Sequence, residues 1–558
     1  MNRLKLLTKF PALQEKRNNL SKGGLALKKY IALALGLLFI LGFTATAFAI
    51  HIPELPPDEQ IVTAKGAEIS LGGRMMVRGW YFNDATFINS ARNAVPGDIA
   101  QDVNADDSAL WTTNISLTLD AKVADNVQGF IELEVSNGEN DQSGLYVWGQ
   151  GGGTAGTATI LQGYDAKPTA DLRFRQAWIL YTGSGLLGAP AGVKIGHQLI
   201  TLGEKQFLNH ERFGDDALIV FVNPTKELHL AAATVKAYEG IYTLPGDDLD
   251  VYALIGTYKF SKDITAGINY SFFNNSDLED TIDAAYTGLD GLSLQNLGLH
   301  SNGMLAGIID YAFEFDTQFG KAKGVDSDDP QHNDAGDILS DDLEYRGFAF
   351  YMRGGYKIPD TPLNIRLSLA YGSGDNDGLE DNKIKEFQVS QGFDTEVNIA
   401  RFTHYTQIYE KTIATAALIQ TVGGSGTILG AGGVIPGTNT SYTPHRNTGI
   451  ANTTYYNLGL DLAATKDLSL SLDGFILRAS KTDGWATVLA DPITGEKPDV
   501  SKNLGWELDF KGSYKLAKNL TYFVEAGAFS PGAFYEDTSL VDKKRNVTQV
   551  IHGLNLTF

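Results

Sequence analysis

The chain has 558 residues, of which 43% are hydrophobic, 10% aromatic and 20% charged, with 61 glycines and no cysteine. That composition can bury apolar surface, which excludes disordered and collagen-like chains, and the lack of cysteine excludes disulfides, thiolate metal sites, covalently attached haem and a cysteine nucleophile. A formal net charge of −21 and a pI near 4.8 oppose binding to phosphate backbones, so no nucleic-acid partner is expected.

The first segment differs from the rest. Arg3, Lys5, Lys9, Lys16, Arg17, Lys22, Lys28 and Lys29 precede an apolar run from Tyr30 through Phe43, and Ala47-Phe48-Ala49 supplies small residues at a cleavage site. This order predicts a secretory signal peptide over residues 1–49, because the apolar run is short for a membrane anchor. Its removal takes away eight basic residues and one acid, and leaves a net charge of −28. Residues 50–66, with Pro53, Pro56 and Pro57, read as a short periplasmic leader. They are too few for the plug domain of a gated siderophore or vitamin importer.

From residue 67 the pattern changes to runs of about ten residues with apolar side chains at every second position, as in strands with one face in an apolar medium and one in a polar one. Taken in order, the predicted strands are Ala67–Phe82, Thr112–Val123, Gln128–Ser136, Asp171–Tyr181, Gly192–Leu202, Asp216–Val222, Glu227–Tyr238, Asp248–Phe260 and Ile264–Phe273. They continue as Ser293–Leu305, Ile308–Gly320, Tyr345–Ile358, Leu363–Gly374, Thr453–Ala464, Leu468–Ala479, Asn503–Tyr514, Leu520–Phe529 and Val541–Phe558. Short connections such as Ala124-Asp125, Gly183–Ala191 and Ala306-Gly307 alternate with long ones at 83–111, 137–170, 203–215, 274–292, 321–344, 375–452 and 480–502. An exported all-β chain of this kind, with even strand number and no helix able to span, predicts a transmembrane antiparallel β-barrel of about eighteen strands over residues 67–558, in the bacterial outer membrane. Sixteen strands would satisfy the same parity. A secreted sandwich or β-helix is the competing all-β fold.

Placing the apolar parity in lipid sorts the charges of the strands into a lumen. Basic pore-lining candidates are Arg74, Arg78, Arg173, Arg175, Lys194, Arg353 and Arg366, and acidic ones are Glu132, Glu134, Asp310, Glu314, Asp316, Asp473, Glu507 and Asp509. A lumen of mixed sign suits small polar or charged solutes better than a long polyanion, which would meet repulsive carboxylates. The polar segment Gly203–Phe213 offers Lys205, His210, Glu211 and Arg212 as a constriction if it folds inward. Asp-rich stretches at 102–107, 326–329 and 375–381 could hold Ca²⁺ through oxygen ligands, although none has a complete EF-hand spacing. No other cofactor or metal is expected.

The terminal run Asn546–Phe558, with Val550, Leu554, Leu556 and Phe558 on one parity, resembles the C-terminal signature that the barrel-assembly machinery reads, with Phe558 as the assembly signal. Gly73-Arg74 and Arg78, then Arg173, Arg175, Gln176 and Ala177, then Val193–Gln198 and the polar stretch to Asp216 extend the likeness. Tyr311–Phe315, Gln318, Gly320 and Gly372–Asn376 complete it. Together they resemble the alginate-export family of outer-membrane barrels and its porin relatives, whose members are monomeric eighteen-stranded channels. His197 stands where the family reads Arg, so the resemblance does not support alginate itself as substrate.

The expectation is therefore a passive outer-membrane channel. Its partners would be small polar solutes, outer-membrane lipid and lipopolysaccharide, and the assembly machinery, in a monomer or a homotrimer. The competing functions are a substrate-specific exporter of a polysaccharide or other anion, and a barrel sheathing a multihaem cytochrome. An enzyme is not expected: a hydrolase needs a nucleophile within reach of His, and His229, His300 and His552 lie in no nucleophile motif.

Overall fold

Strands cross a bilayer only when every backbone polar group is paired, and a sheet without edges satisfies that condition. In the computed structural model of the protein, the described residues are 62–64, 67–83, 108–136, 146–147, 171–186, 188–238, 248–275, 289–324, 342–375, 382–391, 405–409, 450–483, 494–537 and 546–558. The proposed signal peptide, most of the proposed leader and the acidic stretches at 102–107, 326–329 and 376–381 lie outside them.

Eighteen long strands form the wall. They are β1 (Ala67–Asn83), β2 (Ser108–Ala124), β3 (Val127–Ser136), β4 (Asp171–Leu186), β5 (Ala189–Thr201), β6 (Leu208–Val222), β7 (Leu228–Tyr238), β8 (Leu249–Ser261) and β9 (Ile264–Asn275). The second half comprises β10 (Leu289–Leu305), β11 (Ile309–Gly324), β12 (Phe348–Lys357), β13 (Leu363–Gly372), β14 (Thr453–Leu462), β15 (Leu468–Ala479), β16 (Asn503–Ala517), β17 (Leu520–Pro531) and β18 (Val547–Thr557). Each pairs antiparallel with its neighbours in sequence, and β18 pairs with β1 through registers such as Trp80↔Ile551 and Arg74↔Thr557. The ring is closed. At the seam the Phe558 amide donates to the Gly73 carbonyl at 3.1 Å, and the Gly73 amide donates to the Phe558 carbonyl at 2.8 Å. A side chain at Gly73 would fall 2.7 Å from the Phe558 ring, so glycine lets the last residue lie flat on the first strand.

Alternation produces the two surfaces. Leu71, Met75 and Tyr81 on β1, Ile195 on β5, Leu218 and Val220 on β6, Leu254 on β8 and Leu367 on β13 face outward and are exposed. Exposed aromatic side chains fall near both ends of the wall. Tyr181, Tyr258, Phe260, Tyr356 and Tyr514 lie toward the short turns, and Tyr81, Trp111, Tyr252, Phe319, Tyr456 and Trp506 lie toward the long loops. An apolar band between aromatic girdles is the lipid-facing surface of an outer-membrane barrel.

Apart from end shifts of a few residues, such as starts at Ser108 and Leu289 and an end at Gly324, the strands depart from the sequence expectation at three places. β6 begins at Leu208 rather than near Asp216, because Asn209 and His210 still pair with Thr201 and Ile200 across a bulge. The β4–β5 turn shrinks because both strands run on to Leu186 and Ala189. Tyr345 belongs to a separate piece, Leu343–Tyr345, which pairs with β11 and, in parallel, with Lys383–Ile384. The buried core lies inside the ring, where Phe207, Phe387, Ile408 and Tyr409 pack against Phe273, Tyr455 and Phe529.

Candidate functional site

Among the described residues, two loop segments enter the lumen and meet there. The first is Leu202–Phe207, between β5 and β6, where Gly203 (φ 54°) and Lys205 (φ 69°) turn the chain sharply inward. A Cβ at Gly203 would sit 2.7 Å from the Glu314 carboxylate, so only glycine allows this approach. The amides of Glu204 and Gln206 donate to Glu314 Oε2, and Asn302 Nδ2 donates to Glu204 Oε1 at 2.6 Å. Phe207 is held edge-on against Phe273 and Phe387, with centroids 5.5 and 6.1 Å apart.

The second comes from the long connection between β13 and β14. The Gln388 amide donates to Gln318 Oε1 at 2.9 Å, while Gln318 Nε2 donates to the Gln388 carbonyl at 2.7 Å. The Ser390 amide donates to the Phe207 carbonyl at 2.8 Å, and Ser390–Gln391 runs parallel to Leu208–Asn209, locking the two segments together. Further along, the amides of Ile408 and Tyr409 donate to Glu507 at 2.6 and 2.8 Å, and that of Gln407 donates to Asp509 at 3.0 Å. Tyr405 stacks on Tyr455 at 4.4 Å and donates its hydroxyl hydrogen to Gln206 Oε1.

These anchors correct part of the expected pore lining. Glu314, Asp316, Glu507 and Asp509 lie on the inner parity of β11 and β16, but all four are buried. Loop amides and Asn296, which donates to Asp316 at 2.9 Å, bind both oxygens of Glu507 and one oxygen each of Glu314, Asp316 and Asp509, and burial takes all four off the wall of an open channel. Glu132 and Glu134 are also buried. A bulge at Arg175 on β4 lets two successive residues turn toward Glu132. Arg175 reaches both of its oxygens at 2.9 Å, and Gln176 Nε2 reaches Oε2 at 2.7 Å. Asn114 joins Glu134 to Arg74, with bonds of 2.8 and 2.9 Å.

The remaining candidates divide between paired and accessible. Arg366 is bracketed by Asp461 at 2.6 Å and Asp473 at 2.9 Å. Arg353 lies 3.6 Å from Asp310 and keeps 41% of its side chain exposed. Arg78 covers the Trp80 ring at 4.8 Å and Lys194 the Trp178 ring at 4.2 Å. Arg173 stands opposite Glu134 in the strand register.

Of the constriction set, Lys205 pairs with Glu211 at 2.6 Å, both partly exposed, and the Glu211 carbonyl accepts from Arg175 at 2.7 Å. His210 bridges Asp215 (2.7 Å) and Ser390 Oγ (2.9 Å). The Ser390 hydroxyl sits in a residue only 2% exposed, so this trio pins a loop rather than presenting a nucleophile. Arg212 continues β6, and its side chain is not among those described.

The expected site residues did not include Asp461, Asn114 or any of 385–391 and 405–409, and Gln318 stood out only through the family likeness, with no role attached. Asp461 was detectable, since it shares the inner parity of β14 below the outward Leu458 and Leu460. The loop segments carry no periodicity that could have singled them out.

The alginate-export family profile matches residues 97–419 and 432–549. Among solved structures, OprD of Pseudomonas aeruginosa is similar at 14% identity and a TM-score of 0.42, covering 88% of this chain and 95% of that one. OccK2 (OpdF) of the same organism is similar at 12% and 0.44, covering 88% and 98%, and OccAB1 of Acinetobacter baumannii at 10% and 0.42, covering 88% and 97%. No curated protein matches the chain. The family profile spans most of the closed eighteen-stranded ring, and the chain therefore belongs to the alginate-export family, as a β-barrel of the bacterial outer membrane.

Proposed function

We propose that the protein is a passive outer-membrane channel for small polar or charged solutes, with a preference for anions. The observation that carries the reading is the fate of the lumen's charges. Six of the expected acidic groups, Glu132, Glu134, Glu314, Asp316, Glu507 and Asp509, are buried, whereas Arg74, Arg78, Arg173, Arg175 and Arg353 keep partly exposed side chains on the inner parity. Accessible charge in a low-dielectric tube sets which ions dwell there, and here it favours the negative solute. The inward segments, with Phe207, Phe387 and Tyr409 buried between them, narrow the passage and favour small solutes over a chain-length polymer. They also leave little room for a cytochrome, which weighs against the electron-conduit reading. An exporter of an anionic polysaccharide keeps one observation in its favour, the family match itself.

The test is single-channel recording of the refolded mature protein under a KCl gradient. Ohmic steps with a reversal potential on the chloride side are expected, and Arg173→Ala with Arg175→Ala should move it toward zero. A silent bilayer from folded protein would sink the open-channel reading.

A further inference from the structure

Beneath the Leu202–Phe207 segment, the inner face of β9, β10 and β11 carries a block of buried polar side chains. Strand register sets Asn269 beside Gly298 and Gly298 beside Asp316, and two residues along it sets Ser271 beside Asn296. Glu314 is the next residue after Asp316 on the same face of β11. A Cβ on Gly298 would lie 2.6 Å from Asn269 Oδ1 and 2.7 Å from Asp316 Oδ1. With glycine there, the amide and the carboxylate converge over the bare backbone of β10. All five side chains belong to residues at most 1% exposed.

Five oxygens of this block have no hydrogen-bond partner among the described residues: Asn269 Oδ1, Ser271 Oγ, Asn296 Oδ1, Glu314 Oε1 and Asp316 Oδ2. Asn296 has already spent its amide on Asp316 Oδ1, which leaves Asn269 Nδ2 as the one nitrogen without a partner in the block. Buried polar atoms of a folded protein are almost always paired, and here acceptors outnumber the hydrogens on offer. Glu314 and Asp316 also lie within hydrogen-bonding distance of each other, and no Lys or Arg among the described residues pairs with either. Two adjoining buried carboxyl groups need a shared proton or a counter-charge. A shared proton would serve those two groups and leave the Asn269 and Asn296 oxygens bare. A cation serves all five.

We propose that this block is a Ca²⁺ site that ties the constriction segment to the barrel wall. The donors are oxygens alone, two carboxylates with two amide carbonyls and a hydroxyl, and two negative charges match a divalent ion. Ca²⁺ accepts about six to eight such ligands in irregular geometry, whereas Mg²⁺ demands a near-ideal octahedron and keeps its water. Among the described residues no third His, Asp or Glu joins the set, which disfavours the metals that prefer imidazole. Glu314 couples the ion to the loop. Its Oε2 accepts the amides of Glu204 and Gln206, and an ion on Oε1 keeps the carboxylate charged, which strengthens both bonds.

Equilibrium dialysis of the refolded protein against radioactive Ca²⁺, after EGTA treatment, counts the ions held per chain without reference to transport. Asn269→Leu with Ser271→Ala keeps both carboxylates and every acid of the outer loops, and this double variant should bind one Ca²⁺ fewer than its parent. Asn269→Asp adds a charge to the ligand set and should bind the ion about tenfold more tightly. Added Ca²⁺ should slow amide exchange across 202–207 in the parent and leave it unchanged in the double variant, each protein first shown to be folded by its heat-modifiable mobility. The proposal is overturned if the parent binds no Ca²⁺, if the folded double variant binds as many ions as the parent, or if exchange across 202–207 in the parent is indifferent to Ca²⁺. Should the double variant fail to fold, Asn269→Asp protein that binds Ca²⁺ no more tightly than the parent overturns it as well.

Discussion

Glu386 shows how much one side chain on an inward segment can control. It is buried, and neither of its carboxyl oxygens meets a hydrogen-bond partner among the described residues. Burial pushes the carboxyl up to about 8 from its ordinary 4.5, with the Asp375 charge adding to the effect. Docking of the segment is therefore favoured while the group stays protonated. The stabilisation is fully present below about pH 4.5, where the undocked group also holds its proton, and is lost as pH rises through about 8. Hydrogen exchange at 382–391 should accelerate over that window, and Glu386→Gln should flatten the dependence. An unchanged pH profile in Glu386→Gln protein would assign it to another group. Nothing in the sequence distinguished Glu386 from the other acids of the long connection, because its burial depends on where Gln388 meets Gln318.

At the level of elements, the strands and the loops differ in how far they could be read. Strand pairing is imposed by side-chain alternation, so β11 and β16 were legible with their carboxylates on the inner parity. What those carboxylates touch was not, because their partners are backbone amides of remote segments, and an amide has no signature in sequence. The clearest case is Glu507, which accepts from Ile408 and Tyr409 at once. Hydrogen bonds to a charged acceptor contribute about 1.5–3 kcal/mol each, so Glu507→Ala should release 405–409 while leaving β16 paired with β15 and β17. The expected outcome is larger, noisier conductance steps and protease cleavage near Tyr409, with strand content unchanged by circular dichroism. Cleavage and conductance identical to the parent would mean that the Tyr405–Tyr455 stack suffices.

For the whole molecule, closure of the ring is the property that the sequence declared most openly, through an even strand count and an apolar parity that persists to the last residue. The bulges that shift register at Arg175 and between Gln198 and Ile200 were invisible, since a bulge leaves composition untouched. Closure depends on β18 meeting β1, and Phe558 exchanges backbone bonds with Gly73 there. Phe558→Ala should keep those bonds but lose the ring that lies on Gly73, and we expect slower assembly: less heat-modifiable protein in the outer membrane at equal synthesis, and unaltered conductance from the molecules that do fold. Full assembly of Phe558→Ala would remove this residue from the insertion signal.

The interlocked segments have a mechanical consequence as well. A wide single-layer ring flattens easily, because squeezing it into an ellipse bends each strand pair only slightly. Here Leu202–Phe207 reaches from β5 to Glu314 on β11, the second segment runs from Gln318 on β11 to Leu208 on β6, and its continuation is tied to Glu507 on β16. Together they act as a crossbeam between distant arcs of the circumference. Lateral pressure from the bilayer then works against a braced cylinder, and the bore holds its diameter while the membrane around it thins, stretches or crowds.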